Sequence, residues 1–288
     1  MASRLSPLVR SRGYAFLSLP AVLWLVFFFV APLLIVLAIS FMTRGNGGLP
    51  VFPLTLDNYN RTFNTFGGVI WQSVRFSFTT TLICLLMGYP IAYFIKTRKT
   101  RWGKNFALFL VILPFWTNFL IRTYAWKFLL AREGFLNGLL LESGIITEPI
   151  QILNTEFAVM LGLVYGMLPF MVLPIYASLE RFDFHFVEAA QDLGANAWYV
   201  FWRVLLPMTL SGVIAGCVLV FIPSIGSYIT PDMLGGNKGL MIASLLASQL
   251  TGSGNMPQGA AISMVLLSMV VIPIMIYMWT GNREARNG

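Results

Sequence analysis

The stretch Val187–Pro207, V-E-A-A-Q-D-L-G-A-N-A-W-Y-V-F-W-R-V-L-L-P, is a polar interruption between two long apolar runs. Glu188 and the two alanines after it favour an α-helix. Gly194 is placed to end that helix, because glycine readily adopts the left-handed conformation found after a helix. Pro207 lies at the entrance of the next apolar run, where its missing N–H costs little. The stretch therefore predicts a short helix, a glycine stop and the start of a longer helix.

The composition indicates a membrane protein. Of the 288 residues, 57% are hydrophobic and only 10% are charged, whereas soluble domains carry about 25% charged residues. A chain with so few polar residues cannot form a polar surface around its apolar residues in water, and we expect it to fold in a lipid bilayer. The two cysteines, Cys84 and Cys217, lie inside apolar runs. They are expected to be small buried packing residues, outside any disulfide framework.

Six apolar runs are candidates to cross the hydrocarbon core of ~30 Å, which takes about 20 helical residues. The predicted spans are Leu17–Phe41, Phe76–Ile95, Asn105–Ile121, Phe157–Leu179, Val204–Tyr228 and Gln258–Thr280. The first run is longer than the apolar part of a signal peptide and lacks a small-residue cleavage site, which favours an uncleaved span. Residues 42–72 are rich in Gly, Pro, Thr and Asn and predict an outside loop, and Pro223 is expected to interrupt the fifth span.

Basic residues in short loops predict the orientation, because they accumulate on the cytoplasmic side. With the N-terminus inside, the cytoplasmic cations are Arg4, Arg10, Arg12, the Lys96–Lys104 cluster, Arg181, Arg203, Arg283 and Arg286. The cations left outside are spread over longer loops. The net charge of +8 is therefore interpreted as a topology signal that also contacts lipid phosphates, with no nucleic-acid partner.

The segment 181–207, called the E-A-A segment below, resembles the E-A-A-x-x-x-G-x9-I-x-L-P loop of permease subunits from bacterial ATP-binding-cassette (ABC) importers. The matching positions are Glu188, Ala189, Ala190, Gly194, Leu206 and Pro207, with Val204 in place of isoleucine. The resemblance implies a cytoplasmic coupling helix, including Asp192, that docks in a cleft of the ATPase subunit. Glu188 would make a polar contact or a cap there, and Gly194 would allow the close turn. Any amphipathic loop helix ended by glycine shows part of this pattern.

The resemblance implies an all-α integral membrane protein with six transmembrane helices and both termini in the cytoplasm. A five-span ABC importer permease core would be joined by one N-terminal span. The implied division is residues 1–68 (tail, first span and periplasmic loop), 69–280 (the importer transmembrane domain with coupling loop 181–207) and 281–288 (cytoplasmic tail). The implied partners are cytoplasmic ABC ATPase subunits, a second homologous permease subunit and a periplasmic substrate-binding protein, in the bacterial inner membrane.

The chain lacks the residues that would drive transport by itself. No G-x-x-x-x-G-K-[ST] phosphate loop occurs, so ATP and Mg are expected on the partner ATPase. The single histidine, His185, cannot build a His-rich metal site or serve a Ser-His-Asp set, so neither a metal nor an enzymatic activity is expected. We expect it to be a solvated residue beside the coupling helix. The apolar runs contain no charge at membrane depth, which disfavours proton coupling. A non-transporting scaffold or channel stays the alternative class.

A second resemblance concerns the solute. The segment L-P-F-W-T-N-F-L-I-R-T-Y-A-W (Leu113–Trp126) is similar to the third-span signature of spermidine/putrescine importer permeases. The segments Gly88–Pro90, Leu168–Tyr176 and Pro231–Gly236 point to the same polyamine branch. A polyamine substrate is therefore expected, and the alternative is another small solute such as iron, sulfate or thiamine.

A pathway for a polyamine is expected to contain aromatic faces, which attract cations by ~0.5–2 kcal/mol each. Side-chain oxygen atoms can provide further contacts along it. The candidate pathway residues lie near the outer halves of the spans: Trp116, Thr117, Asn118, Tyr124, Trp126, Tyr165, Ser224, Tyr228 and Asp232. Tryptophan and tyrosine also form interfacial belts without a pathway role. Arg122 would repel a polycation and is expected to snorkel outward or pair with an acid such as Glu156. Because no carboxylate lies within a span, selection is expected from the periplasmic binding protein.

Overall fold

The computed structural model describes the backbone of residues 19–287 and the side chains of residues 19–272, 274 and 275. The predicted start of the first span at Leu17, the cations Arg4, Arg10 and Arg12, and the side chains of Arg283 and Arg286 lie outside the described residues. The elements are α1 (Leu19–Ser40), β1 (Met42–Arg44), β2 (Pro50–Leu54), α2 (Asp57–Lys96), α3 (Arg101–Trp116), α4 (Phe119–Leu130), α5 (Phe135–Glu142), α6 (Glu156–Arg181), α7 (His185–Asp192), α8 (Ala197–Met208), α9 (Leu210–Ile225), α10 (Ile229–Gly235), α11 (Ile242–Gly252) and α12 (Met256–Asn287).

The helices are those of a multi-pass membrane protein. Among the described residues, α1, α2 and α6 are long and apolar enough to cross a bilayer. Two bent pairs, α3 with α4–α5 and α8 with α9, raise the number to five if each pair forms one span. The chain also contains one antiparallel hairpin, in which β1 pairs with β2. The fold is otherwise mostly helical, as the sequence predicts.

The chain forms two compact units, of which the smaller comprises the part up to Phe66 together with Leu246–Met269. A buried polar network lies inside it. Asn58 Nδ2 donates to the carbonyls of Ser40 at 3.0 Å and Met42 at 2.8 Å. Gln258 Nε2 donates to Thr62 Oγ1 at 2.8 Å and to the Asn58 carbonyl at 3.2 Å. The predicted loop over residues 42–72 is therefore wrong from residue 57 onward, because these contacts satisfy the polar side chains of a helix.

The larger unit comprises Gly67–Leu245 together with the segment from Val270. Its main core lies between α2, α6 and α9, where Cys84, Met171 and Val220 are fully buried. The predicted packing role of Cys84 is thus confirmed. Gly216 on α9 lets that helix approach α6, since a Cβ there would lie 2.7 Å from Met171 Sδ. Close approach through small residues is how helices pack in membranes, where lipid tails are as apolar as leucine.

The third predicted span is not one straight helix. α3 ends at Trp116, and the chain after it is bent by 92°. Thr117 Oγ1 donates to the Pro114 carbonyl at 2.8 Å, and Asn118 Oδ1 accepts from the Leu120 N–H at 2.8 Å. These side chains replace helical hydrogen bonds on the two sides of the break, so the helix can stop inside an apolar run. Residues 116–118 are called the helix break below.

The fifth predicted span is interrupted at a different place from the one expected. α9 continues through Pro223 to Ile225, whereas α8 and α9 meet at Thr209 with a bend of 70°. Thr209 is fully buried. Its hydroxyl donates to the Leu205 carbonyl at 2.8 Å and lies 2.9 Å from the Tyr89 hydroxyl. A buried threonine held by its own preceding turn and by α2 thus fixes the bend.

Candidate functional site

The E-A-A segment contains the predicted short helix, α7. Asp183 Oδ1 accepts the backbone N–H of His185 at 3.0 Å, and this bond starts the helix. Glu188 lies in the first turn, where a negative charge is favoured by the helix dipole. Its Oε2 is 3.1 Å from His185 Nδ1, and the His185 side chain is 85% exposed. The expectation of a solvated histidine beside this helix is therefore confirmed.

The end of α7 is a Schellman motif. Gly194 has φ +86°, the left-handed region that favours glycine. The Gly194 N–H donates to the Gln191 carbonyl at 2.8 Å, and the Ala195 N–H donates to the Ala190 carbonyl at 3.0 Å. These two bonds satisfy carbonyls that the helix end leaves free. The predicted glycine stop is confirmed.

The outer face of α7 is open. Glu188, Ala189, Asp192 and Gly194 are exposed, and Ala190 is half-buried. Leu193, which sequence reasoning missed, is 90% exposed. A leucine between an acid and a stop glycine, inside a polar loop, was the signal that could have identified it. An exposed leucine at this position is available for an apolar contact with another molecule.

The E-A-A segment continues through α8. Asn196 Oδ1 accepts the Tyr199 N–H at 2.8 Å and caps the helix. Trp198 is 71% exposed and meets the Trp202 ring edge to face with centroids 5.6 Å apart. Leu206 is half-buried and Pro207 is exposed at the last turn of α8. The last two residues of the motif therefore lie directly before the bend at Thr209, and they are not the entrance of one straight span.

An ion-pair cluster holds the base of the E-A-A segment. Lys104 Nζ lies 2.8 Å from both carboxylate oxygens of Glu180. Lys96 Nζ donates to the Glu180 carbonyl at 3.2 Å, at the end of α6. The next residues turn inward, since Phe182 is buried against the ring of Phe184 with centroids 5.2 Å apart. Sequence reasoning treated these lysines only as a topology signal and missed their structural role.

An apolar cavity of about 750 Å³ lies beside the E-A-A segment. Its walls come from α2, α7, α8 and the start of α9. The lining includes Leu85, Leu86, Tyr89, Pro90, Tyr93, Val187, Gln191, Ala197, Trp198, Val200, Phe201, Trp202, Leu205, Leu206, Leu210 and Val213. Across this cavity wall, Tyr89 of α2 meets Phe201 of α8 edge to face, with centroids 5.3 Å apart.

The candidate pathway residues at the helix break are exposed. Trp116 is 75% exposed and meets the ring of Phe109 edge to face at 5.7 Å. Thr117 and Asn118 are exposed too, but their side-chain oxygens already cap the two helix ends. Tyr124 is exposed on α4. All four residues lie in one stretch of the chain. Two of them, Thr117 and Asn118, also have a structural role, because their side chains cap the ends of α3 and α4.

A group of side chains from α4 and α6, called the Arg122 cluster, consists of Arg122, Phe119, Trp126 and Tyr165. Trp126 and Tyr165 meet edge to face with centroids 5.4 Å apart. The guanidinium carbon of Arg122 lies 5.2 Å from the Phe119 ring and 5.7 Å from the Tyr165 ring. Its Nη1 donates to the Pro114 carbonyl at 2.9 Å.

Of the two alternatives expected for Arg122, the pairing with Glu156 is wrong. Glu156 Oε2 is 2.5 Å from Nη2 of Arg75, on α2. An acidic or basic residue at a helix end has several possible partners of opposite charge. The packing of α2 beside α6 decides which of these ion pairs forms. Arg122 instead uses a carbonyl and two ring faces.

The remaining pathway candidates lie on α9 and α10. Ser224 is fully buried, and its hydroxyl has no hydrogen-bond partner among the described residues. Tyr228 is exposed, and Asp232 is exposed in the first turn of α10. Within the described part of the chain, no group of three or more His, Cys, Asp and Glu side chains is placed to hold a metal ion.

Comparison with known proteins gives close relatives. A family model described as a binding-protein-dependent transport system inner membrane component matches residues 87–281. The spermidine/putrescine transport system permease protein PotB of Haemophilus influenzae is 46% identical over 255 residues, covering 88% of this chain and 89% of that protein. PotB of Escherichia coli is 40% identical over 261 residues, covering 90% and 94%. The inner membrane ABC transporter permease protein YdcU of Escherichia coli is 31% identical over 273 residues.

Two solved structures share the fold. One is a bacterial ABC transporter involved in the import of the acidic polysaccharide alginate, with a TM-score of 0.70 at 16% identity and 94% of each chain covered. The other is a bacterial alginate ABC transporter in complex with an alginate pentasaccharide-bound periplasmic protein, with a TM-score of 0.72 at 16% identity, covering 95% of this chain and 96% of that chain. At this identity the likeness concerns the fold alone.

Proposed function

Because the chain belongs to the family of binding-protein-dependent transport system inner membrane components, we propose that it is the transmembrane permease subunit of an ATP-driven importer of putrescine and spermidine. The substrate assignment rests on the sequence identity of 40–46% to PotB proteins, which extends over most of both chains. The family resemblance expected from the E-A-A segment is confirmed by the same matches.

The proposal includes six spans in the bacterial inner membrane with both termini in the cytoplasm. The spans would be α1, α2, α3 with α4–α5, α6, α8 with α9, and α12. A helix of 32 residues is ample for a hydrocarbon core that takes about 20 residues. The bias of basic residues toward the short loops supports this orientation, and it puts the E-A-A segment in the cytoplasm.

The E-A-A segment is proposed as the docking site of a cytoplasmic ABC ATPase, which would bind ATP and Mg. Its exposed face supports this role. Glu188, Ala189 and Asp192 point outward on α7, and Leu193 supplies an apolar contact at the helix end. The Schellman turn at Gly194 gives that face a defined end. The ion pairs of Glu180 connect the segment to α2, α3 and α6, so that a movement of α7 would be transmitted to the spans.

The substrate pathway is proposed along Trp116, Thr117, Asn118, Tyr124, Tyr165, Ser224, Tyr228 and Asp232. Exposed aromatic faces suit an alkylammonium. The Ser224 hydroxyl, which has no hydrogen-bond partner in the described part of the chain, can accept a hydrogen bond from a passing amine. The further proposed partners are a second homologous permease subunit and a periplasmic substrate-binding protein. They would supply the carboxylates that a polycation requires.

The test is uptake of labelled putrescine and spermidine in cells from which the gene for this chain has been deleted. Uptake should return with the intact chain and should be suppressed by either unlabelled polyamine, while thiamine and sulfate should not compete. A deletion strain with normal polyamine uptake and no second polyamine importer would contradict the substrate assignment. A lack of any ATPase in the purified complex would contradict the permease assignment.

A further inference from the structure

Arg122 is a half-buried cation whose surroundings are unusual for an arginine in an apolar run. Among the described residues, no carboxylate lies within ion-pair distance of it. Its charge is met instead by the Pro114 carbonyl and by the faces of Phe119 and Tyr165. Gly166 on α6 lies beside the guanidinium, and a Cβ there would make an ordinary van der Waals contact, 3.6 Å from Nη2 of Arg122.

The same surroundings are suited to any organic cation. Ring faces attract ammonium and guanidinium groups alike. The Pro114 carbonyl lies in the last turn of α3, where the helix dipole is negative and carbonyls lack helical partners. Tyr165 keeps 37% of its surface exposed and meets Trp126, so its ring can be reached from outside the cluster. The Arg122 cluster thus has the features of a cation site that already holds a cation of its own.

We propose that Arg122 is a tethered cation that occupies, between transport cycles, a site for a primary alkylammonium group of the substrate. The passing amine would displace the guanidinium from the Tyr165 face and the Pro114 carbonyl, and the guanidinium would return after the amine has left. This inference rests on the proposed function. Its consequence is that Arg122 closes the aromatic part of the pathway to other cations when no substrate is passing.

A purely structural role makes a different prediction. The Pro114 carbonyl also accepts the Thr117 hydroxyl at the helix break, so Arg122 would then serve only as one more donor that holds the break. Arg122→Gln separates the two roles, because glutamine keeps an N–H donor and loses the charge. Arg132 is exposed on the same unit, and Arg132→Gln is the matched control for the loss of one positive charge.

The experiment uses the complete importer with its ATPase, reconstituted in liposomes loaded with labelled choline, a permanent cation. We expect Arg122→Gln to raise choline efflux without ATP by about tenfold, within the range of a cation–π contact. Millimolar ethylguanidinium should suppress this efflux by refilling the site, and Arg122→Lys should lower it toward that of the unmodified complex. Arg132→Gln should leave the efflux unchanged.

Equal efflux from the Arg122→Gln and unmodified complexes would overturn the proposal, as would an efflux that ethylguanidinium does not change. If Arg122→Gln does not assemble, Phe119→Leu removes one ring face that holds the guanidinium and keeps the proposed site on Tyr165 and the Pro114 carbonyl. Raised choline efflux from that complex supports the site, and normal efflux overturns it. ATP-driven spermidine uptake by the unmodified complex is measured in parallel. Its absence would refute the proposed function, while the efflux comparison still decides the role of Arg122.

Discussion

The E-A-A segment and the Arg122 cluster belong to the same structural unit and are built in opposite ways. The E-A-A segment makes its helix from neighbours in sequence: Asp183 starts α7 and Gly194 ends it, each through contacts within a few residues. The Arg122 cluster needs Tyr165, more than forty positions further along the chain. A local motif can be recognised from its spacing, whereas a cluster from two helices becomes visible only when the helices are packed.

The two regions also differ in what they leave unsatisfied. The E-A-A segment satisfies its helix ends and leaves side chains exposed, above all Leu193. The Arg122 cluster holds its charge on a carbonyl and two rings. Substitutions in the first region should therefore affect association and coupling, and substitutions in the second should affect local stability and the passage of cations.

The largest effect is expected at the helix stop. Gly194→Val places a β-branched residue in the left-handed region, which costs about 1–2 kcal/mol, and it should lower polyamine uptake at least about tenfold because the end of α7 is displaced. Gly194→Asn should retain more uptake, since asparagine tolerates this conformation. Gly138→Val is the control, at a helical glycine with open space around it. Full uptake with Gly194→Val, at equal amounts of membrane-inserted chain, would contradict the importance of the turn.

The next effect is expected at the exposed leucine. Leu193→Asp should weaken co-purification of the ATPase at least about tenfold, because burying a leucine in an interface stabilises it by about 1.5–3 kcal/mol. The melting temperature of the permease should not change, since Leu193 packs on little within this chain. Ile145→Asp, at a residue that is 71% exposed elsewhere in the unit, should leave the ATPase bound. Equal ATPase recovery from the two variants would remove Leu193 from the docking surface.

A smaller effect is expected at the base of the E-A-A segment. Lys104→Glu and Glu180→Lys should each lower uptake about two- to fivefold, because partly exposed ion pairs contribute up to about 1 kcal/mol. The double charge swap should recover part of the loss, since it restores the attraction with the charges exchanged. The ratio of polyamine transported to ATP hydrolysed, measured in the reconstituted importer, should follow the same order. If the double variant transports less polyamine than either single variant, the Lys104–Glu180 ion pair does not contribute to transport.

The smallest effect is expected at the helix break. Asn118→Ala removes the cap of α4 and should destabilise the protein by about 1 kcal/mol, measured as a lower melting temperature. Asn118→Asp keeps an acceptor for the Leu120 N–H and should restore the stability. If the half-saturating polyamine concentration changes in Asn118→Asp while its stability is normal, Asn118 contacts the substrate as well. That result would support the proposed pathway at the helix break.

The sequence by itself was sufficient for the features that depend on short-range order. The residues Glu188-Ala-Ala and Gly194 predicted the helix with its stop, because helix propensity and the left-handed turn are properties of adjacent residues. The family was indicated by the resemblance of the same segment to the loop of ABC importer permeases. The run Phe157–Leu179 predicted α6 almost to its ends, since a long apolar segment has few alternatives to a membrane helix.

Only the tertiary structure decided where long apolar runs break and which charges meet. The break at Thr117 and the bend at Thr209 depend on side-chain bonds and on contact with α2, and hydropathy does not distinguish a bent run from a straight one. The helical start of α2 at residue 57 depends on a buried network with Gln258, two hundred positions away along the chain. Arg75, Arg122 and Glu156 had several possible partners. Packing selected among them, because an ion pair requires two groups within about 4 Å and sequence distance does not determine that separation.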